Sequence, residues 1–341
     1  MSIHTLMEKI RSFTNRPVVK YFLMVDRRDW HQICSSMDVV EDAQFAIESY
    51  QEDESRENWG PLYLEVYGLL QAFIIQQDAI RHLREALGLK SLGRETVREL
   101  AEIRDIRNKA IGHPSKRDKG PRSPSYHYIS RLTLTRKGFE LLSFYGDTSS
   151  MESDDIQLLD LAAAQERNVQ MLLKILLDEL RQWEKSRCEE HAHEKLVDTL
   201  SRAHYFFQKL GESLCHPDRY TWKLGLTHVD EITTSVSAFK ERLGNRGIDW
   251  QAYGDIKHVC QDLCYPLSRI RTYLESVVQD QLPPVPQADA RVFWESATRH
   301  FSILVEIATG IDEEYVSALS CPPSIEQDHD ADLPGPCRGS S

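Results

Sequence analysis

The chain has 341 residues, of which 41% are hydrophobic and 28% are charged. This composition excludes a collagen-like, mostly disordered or membrane-spanning protein, and the length favours two domains. The net charge of -12 argues against a protein that coats nucleic acid along its whole surface. No secretory signal is evident at the amino terminus, and seven scattered cysteines without a CxxC motif indicate reduced thiols. We therefore expect a cytoplasmic protein.

Apolar residues recur at helical spacing along most of the chain, which predicts an all-α protein with one small β-hairpin. Residues 1–60 are expected to form a helical lead-in. The next helix, over 62–87, is apolar around so much of its circumference that it should be central or shared with a second chain. A further helix runs from about 93 to 111 and ends at Gly112, because Pro114 forces His113 out of the α region.

A basic loop over 115–124 precedes the predicted hairpin, whose strands lie near 126–145 on either side of a short TRKG connection. Residues 154–187 return to a helical pattern. Four amphipathic helical patterns within 189–320 then predict a second helical bundle. The last residues, 321–341, have no apolar periodicity and are expected to be disordered. The domain boundaries predicted from these changes fall near residues 60, 188 and 320.

The segment from Glu99 to Pro114 carries the most informative motif: Arg107 is followed directly by Asn108 and, after five intervening residues, by His113. This segment resembles the HEPN family (higher eukaryote and prokaryote nucleotide-binding domains), whose signature is Arg, four to six residues, then His, often with a polar residue after the Arg. The resemblance covers roughly residues 60–188 and implies an HEPN-like helical bundle there, although the hairpin is an addition to the minimal family pattern.

The resemblance also implies an activity, which is metal-independent RNA cleavage of the toxin or phage-defence type, with no cofactor. Arg107, Asn108 and His113 would be the catalytic residues, in a homodimer whose two Arg/His sets face one cleft. An antitoxin or another regulatory protein is the further partner that the resemblance implies. Chemically, an imidazole can accept the proton of a ribose 2′-hydroxyl, and a guanidinium can stabilise charge on phosphoryl oxygens.

Spacing alone does not single out this Arg/His pair, because about three such pairs are expected by chance in a chain of this composition. Three occur, at Arg107/His113, Arg122/His127 and Arg187/His193. What distinguishes the first pair is its setting at the end of an amphipathic helix, before a Gly-His-Pro stop and after a very apolar helix.

Charge is concentrated around the same motif, since Lys and Arg outnumber acids by more than two to one between residues 81 and 137. This distribution favours an RNA phosphate backbone bound at one site. The expected RNA-binding residues are Arg104, Lys109, Lys116, Arg117, Lys119 and Arg122, with Gln77 and Asp78 as supporting polar groups on the preceding helix. The alternative is that acids at helical spacing pair with these cations, although residues 115–137 have no such helical partners.

Other functions remain open from the sequence. A non-catalytic helical module that binds RNA, a nucleotide or a protein partner is the main alternative, and a purely structural bundle is the third. His191 and His193 lie in a charged segment without distant Cys or His residues at metal-ligand spacing, so a solvated junction is favoured there over a metal site.

Overall fold

The computed structural model describes residues 1–52, 58–92, 98–118, 124–146, 151–215 and 218–320. Within these ranges the chain forms ten α-helices and one small antiparallel sheet, which confirms the predicted fold class. The predicted disordered tail, 321–341, lies outside the described residues. The helices are α1 (Ile3–Thr14), α2 (Pro17–Leu23), α3 (Arg27–Glu52), α4 (Trp59–Ala86), α5 (Arg98–Arg107), α6 (Leu158–Glu190), α7 (Leu196–Cys215), α8 (Arg219–Asn245), α9 (Gly254–Val278) and α10 (Gln287–Ser320).

The first hydrophobic core is built around α4, which packs against α3 and also contacts α5 and α6. Its buried positions, such as Val66, Phe73 and Ile80, recur at helical spacing on the faces that neighbouring helices cover. The predicted lead-in belongs to this same core, because Ile10 of α1 and Ile33 of α3 are fully buried within it. The central position of α4 therefore accounts for most of its apolar circumference.

One stripe of α4 is left uncovered. Leu64, Tyr67 and Ile75 are exposed along it, Leu64 to 74%, with Gly68 and Gln71 between them. These positions are three, four or seven residues apart, so they lie on one face of the helix. We refer to this set as the α4 stripe, and it is an apolar surface that the described residues do not cover.

A row of hydrogen-bonded side chains crosses the first core. Gln77 Nε2 donates to Gln165 Oε1 (2.9 Å), and Gln165 Nε2 donates to Gln76 Oε1 (2.9 Å). Gln76 Nε2 then donates to Gln44 Oε1 (3.1 Å), and Gln44 Nε2 to Glu48 Oε1 (2.8 Å). Because a buried amide without a partner is costly, this row fixes how α4 is rotated against α3 and α6.

The β-element is a three-stranded sheet of β1 (Ser125–Ile129), β2 (Gly138–Tyr145) and β3 (Met151–Gln157) in the order β1-β2-β3. The predicted hairpin is confirmed as β1 and β2, which pair with Tyr128 opposite Leu142, but β1 ends at Ile129 and the connection, over 130–137, is longer than the predicted TRKG segment. The prediction of helix from residue 154 is wrong, because β3 continues to Gln157 and α6 begins at Leu158. Six of the seven residues of β3 are not buried, so its polar sequence carries no apolar alternation that would have predicted a strand.

The second core consists of α7 to α10, which confirms the four helical patterns predicted after residue 189. Its amino-terminal end is fixed by Asp312 of α10, which accepts hydrogen bonds from the first backbone N–H groups of α7, at Leu196 (2.9 Å) and Val197 (3.0 Å).

The two cores meet near the end of α6, where Arg16 forms a 2.7 Å ion pair with the buried Glu184. No described helix is both long and apolar enough to cross a membrane.

Candidate active site at the end of α5

The helix that carries the motif ends in a wider, π-helical turn over Asn108–Gly112, which we call the π-turn. The backbone N–H of His113 donates to the carbonyl of Asn108 (2.8 Å) and closes this turn. His113 then leaves the helix with φ -141° and ψ 53°, outside the α region that the following Pro114 disfavours. The predicted stop at Gly112 is therefore confirmed. Single π-turns occur frequently at functional sites.

Arg107, the last residue of α5, has its guanidinium held by two neutral amides. Its Nε and Nη2 both donate to Gln71 Oε1 of α4 (3.1 and 2.6 Å), and its Nη1 donates to Asn108 Oδ1 (3.0 Å). Three of the five N–H donors of the guanidinium are thus occupied, and the other two have no acceptor among the described residues. Because neither partner is a carboxylate, the position of the guanidinium is fixed while its positive charge is not neutralised.

Gly112 brings this guanidinium next to His113. A Cβ atom at residue 112 would lie 2.8 Å from Arg107 Nη1 and 3.2 Å from Asn108 Oδ1, both closer than ordinary contact. Only a glycine leaves room for the guanidinium against the backbone at this point. The charged end of Arg107 therefore lies over the residue that immediately precedes His113.

The imidazole of His113 is exposed and makes no hydrogen bond within the described part of the chain. Asn108 makes no hydrogen bond to this ring within the described part of the chain, and its side-chain carbonyl accepts from Arg107. The site thus combines a fixed cation that lies against Gly112 with an exposed imidazole on the next residue. An imidazole can transfer a proton, and a fixed guanidinium can bind a phosphate.

The other predicted RNA-binding cations around α5 share two carboxylates. Asp78 of α4 pairs with Arg104 (3.0 Å) and Arg81 (3.3 Å). Asp105 pairs with Arg117 (2.7 Å) and Lys109 (3.0 Å). Burial favours the neutral acid at Asp105, but the hydrogen bonds from Arg117 and Lys109 outweigh it and lower the pKa of this carboxyl below its ordinary value.

Among the described residues, no i,i+4 helical pair involves the basic residues of 115–137, as expected, but three of them have acidic partners of another kind. Arg117 pairs with Asp105 of α5, Lys116 with Asp118 (3.2 Å), and Arg136 with Glu65 of α4 (3.5 Å). Two of these partners are distant in sequence, which a count of helical neighbours does not include. Lys119 and Arg122 lie outside the described residues. Asp78 and Asp105 bind four cations between them, and Arg107 is a fifth. Five positive charges against two negative ones leave a surplus of three positive charges near the π-turn.

Of the two supporting residues expected on the preceding helix, neither reaches Arg107. Gln77 belongs to the buried amide row through its bond to Gln165, and Asp78 binds Arg104 and Arg81. The residue that does support the site is Gln71, which sequence reasoning missed. The signal that could have found it is that Gln71 and Glu65 interrupt the most apolar stretch of the chain, and each one has an arginine partner.

The two other Arg/His pairs of the same spacing differ in structure from the first. The imidazole of His127 is buried between Ser143 Oγ (2.8 Å) and Ser125 Oγ (3.0 Å), and burial with nearby Lys109 and Arg117 lowers its pKa. The guanidinium of Arg187, on α6, lies over the rings of Phe22 of α2 and Trp183 of α6. Neither pair combines an accessible imidazole with an adjacent, amide-held guanidinium, so the structure distinguishes pairs that spacing did not.

A groove of about 800 Å³ opens beside the π-turn. It is lined by Ala110 and Pro114, by Tyr63 and Tyr67 of α4, and by residues at and after the end of β1.

Elsewhere, no three His, Cys, Asp or Glu side chains gather closely enough to hold a metal ion among the described residues. His191 and His193 lie in the turn after α6.

Comparison of the chain with protein-family models, with curated proteins and with solved structures finds no match.

Proposed function

We propose that this protein is a metal-independent endoribonuclease of the HEPN toxin or phage-defence type, with Arg107 and His113 as its catalytic residues. The observation that carries the proposal is the guanidinium of Arg107, held by Gln71 and Asn108 against Gly112, one residue before the exposed His113. The resemblance of the Arg-Asn to Gly-His-Pro segment to the HEPN signature supports the same activity.

The residues can carry the reaction in one displacement. His113 accepts the proton of a ribose 2′-hydroxyl, the 2′-oxygen attacks the adjacent phosphorus, and the bond from phosphorus to the 5′-oxygen breaks. The products are a 2′,3′-cyclic phosphate and, once the 5′-oxygen has taken up a proton, a 5′-hydroxyl. The two free N–H donors of Arg107 bind the phosphoryl oxygens, on which negative charge increases in the transition state.

A homodimer through the α4 stripe is part of the proposal. The stripe is apolar and exposed at Leu64, Tyr67 and Ile75, and Gln71, which holds Arg107, lies within it. Pairing two stripes about a two-fold axis would bury apolar surface and bring two Arg107 side chains to one cleft. An antitoxin or a regulatory protein is a further proposed partner, and the α7 to α10 bundle would be its binding module.

The experiment that tests the activity is cleavage of single-stranded RNA in excess EDTA by the wild type, Arg107→Ala and His113→Ala. His193→Ala is the matched control, because it removes an exposed histidine that has the same spacing from an arginine. We expect both site variants to lose cleavage by at least a hundredfold, about the effect of removing one transition-state donor. The control should retain activity, and the products should end in a 2′,3′-cyclic phosphate. Cleavage that needs a divalent metal, or that survives both site substitutions, contradicts the proposal.

The second candidate is a non-catalytic module that binds RNA, a nucleotide or a protein partner. It is favoured by one observation, which is that no described side chain orients the imidazole of His113. The same experiment separates the two functions. RNA binding that Arg107→Ala weakens, without any cleavage by the wild type, supports the module.

A further inference from the structure

The groove beside the π-turn is built from aromatic side chains. Tyr63 and Tyr67 of α4 form one wall, and Tyr128 of β1 contributes the other. We call the cavity between these three residues the tyrosine groove. Its volume of about 800 Å³ falls within the range of small-molecule sites, about 300–1,000 Å³. Pro114 lines it as well, so the groove begins one residue after His113.

The stacking surface of the groove is the ring of Tyr128, which is accessible yet fixed in place. Tyr128 is 49% exposed, and its ring is stacked on that of Phe144 with centroids 5.8 Å apart and planes 17° apart. Tyr63 and Tyr67 meet edge to face with centroids 5.5 Å apart. Packed, partly exposed aromatic rings offer flat surfaces on which another planar ring can stack.

Charge around the groove selects the kind of ligand. Arg131 lines it, is exposed, and makes no ion pair within the described part of the chain. Arg107 and His113 lie at the end of the groove that borders the π-turn. The acidic residues Glu140 and Asp155 lie opposite each other in β2 and β3, and neither of them lines the groove. An anionic backbone is therefore favoured between Arg131 and His113, with an uncharged planar group in the groove.

We propose that the tyrosine groove binds an unpaired nucleobase of single-stranded RNA, beside the phosphate that Arg107 and His113 act on. The inference rests on the proposed function and specifies its substrate class. A base within a duplex is stacked and paired and cannot enter the groove, whereas single-stranded RNA can place a base against aromatic side chains. The three-stranded sheet, absent from the minimal HEPN pattern, thereby forms one wall of the substrate site.

The test measures binding of a short, labelled 2′-O-methyl RNA oligonucleotide, which has no 2′-hydroxyl and so cannot be cleaved. Tyr128→Ala is chosen rather than a change at Tyr67, because Tyr67 also belongs to the α4 stripe. We expect Tyr128→Ala to weaken binding about 5- to 150-fold, the effect of losing one base-aromatic stack. Tyr128→Phe, which keeps the ring, should bind like the wild type. Tyr205→Ala removes a tyrosine of similar exposure, 56%, from α7 and is the matched control.

A second arm uses oligonucleotides in which one base is removed at successive positions. We expect one position at which base removal weakens wild-type binding by the same factor, and at which Tyr128→Ala causes no additional loss. Wild-type-like binding by Tyr128→Ala, with no sensitive position, overturns the inference. A change in oligomeric state in Tyr128→Ala also overturns it, because the groove would then be covered by a second copy of the chain.

Failure of the inference is distinguishable from failure of the proposed function. The same variants are assayed for cleavage of unmodified RNA in EDTA. If cleavage depends on His113 but binding is insensitive to Tyr128→Ala, the activity stands and the base site is overturned. If base-dependent binding occurs without cleavage by the wild type, the base site is supported and the nuclease is contradicted.

Discussion

Replacing Gly112 with alanine tests how Arg107 is placed, because the added methyl group would occupy the space of the guanidinium. The new Cβ would lie 2.8 Å from Arg107 Nη1, and the end of this flexible side chain must move away. Gly112 does not have a positive φ, so its backbone accepts alanine without strain. We expect the free energy of unfolding to change by at most about 1 kcal/mol, the usual range for a compatible glycine-to-alanine change.

The expected effect on activity is much larger than the effect on stability. Once displaced, the guanidinium leaves Gln71 and no longer lies beside His113, so we expect kcat to fall about 10²- to 10³-fold, as for the loss of one transition-state donor. The assay is cleavage of single-stranded RNA in EDTA, with thermal unfolding as the measure of stability. Gly310→Ala is the matched control, because a Cβ there meets no atom within 4 Å.

The double variant Gly112→Ala/Arg107→Ala shows whether the methyl group acts through Arg107. If it does, the double variant cleaves RNA no more slowly than Arg107→Ala alone. Wild-type activity in Gly112→Ala, or full additivity of the two losses, would refute the placement of the guanidinium over Gly112.

Three further predictions concern charge, assembly and pH. Gln71→Glu places a carboxylate against Arg107 and neutralises it, so kcat/KM should fall at least tenfold in EDTA; unchanged activity would show that the charge is not used. Ile75→Glu puts a charge in the α4 stripe and should shift sedimentation from dimer to monomer, whereas Val316→Glu, on an exposed site of α10, should not. His127 has a lowered pKa, so the unfolded chain binds more protons below pH 6.5, and stability should decrease as pH falls through that value. Urea unfolding from pH 8 to about pH 5 should show a smaller decrease in His127→Gln than in the wild type.

Local patterns determined much of the architecture, because helical periodicity and helix ends depend on neighbouring residues. The helix ending at Gly112, the central α4 and the four helices of the second core follow from apolar spacing and from the Gly-His-Pro stop. The motif residues Arg107, Asn108 and His113 were singled out by their resemblance to the HEPN signature, and the helix end only supplied their setting. Strand β3 was missed because its exposed acidic residues carry no apolar signal.

The partners of the site residues were decided only by the tertiary structure. Arg107 and Gln71 are 36 positions apart, and Arg117 reaches Asp105 across the π-turn. Gln71 and Gln77 are six residues apart on α4 and therefore point about 120° from each other, so only one of them can face α5. The buried amide row takes Gln77 toward α6 and leaves Gln71 for Arg107. Sequence alone thus placed the arginine and the histidine at the end of one helix, whereas the rotation of α4 in the packed core decided that a neutral amide, rather than a carboxylate, holds the arginine.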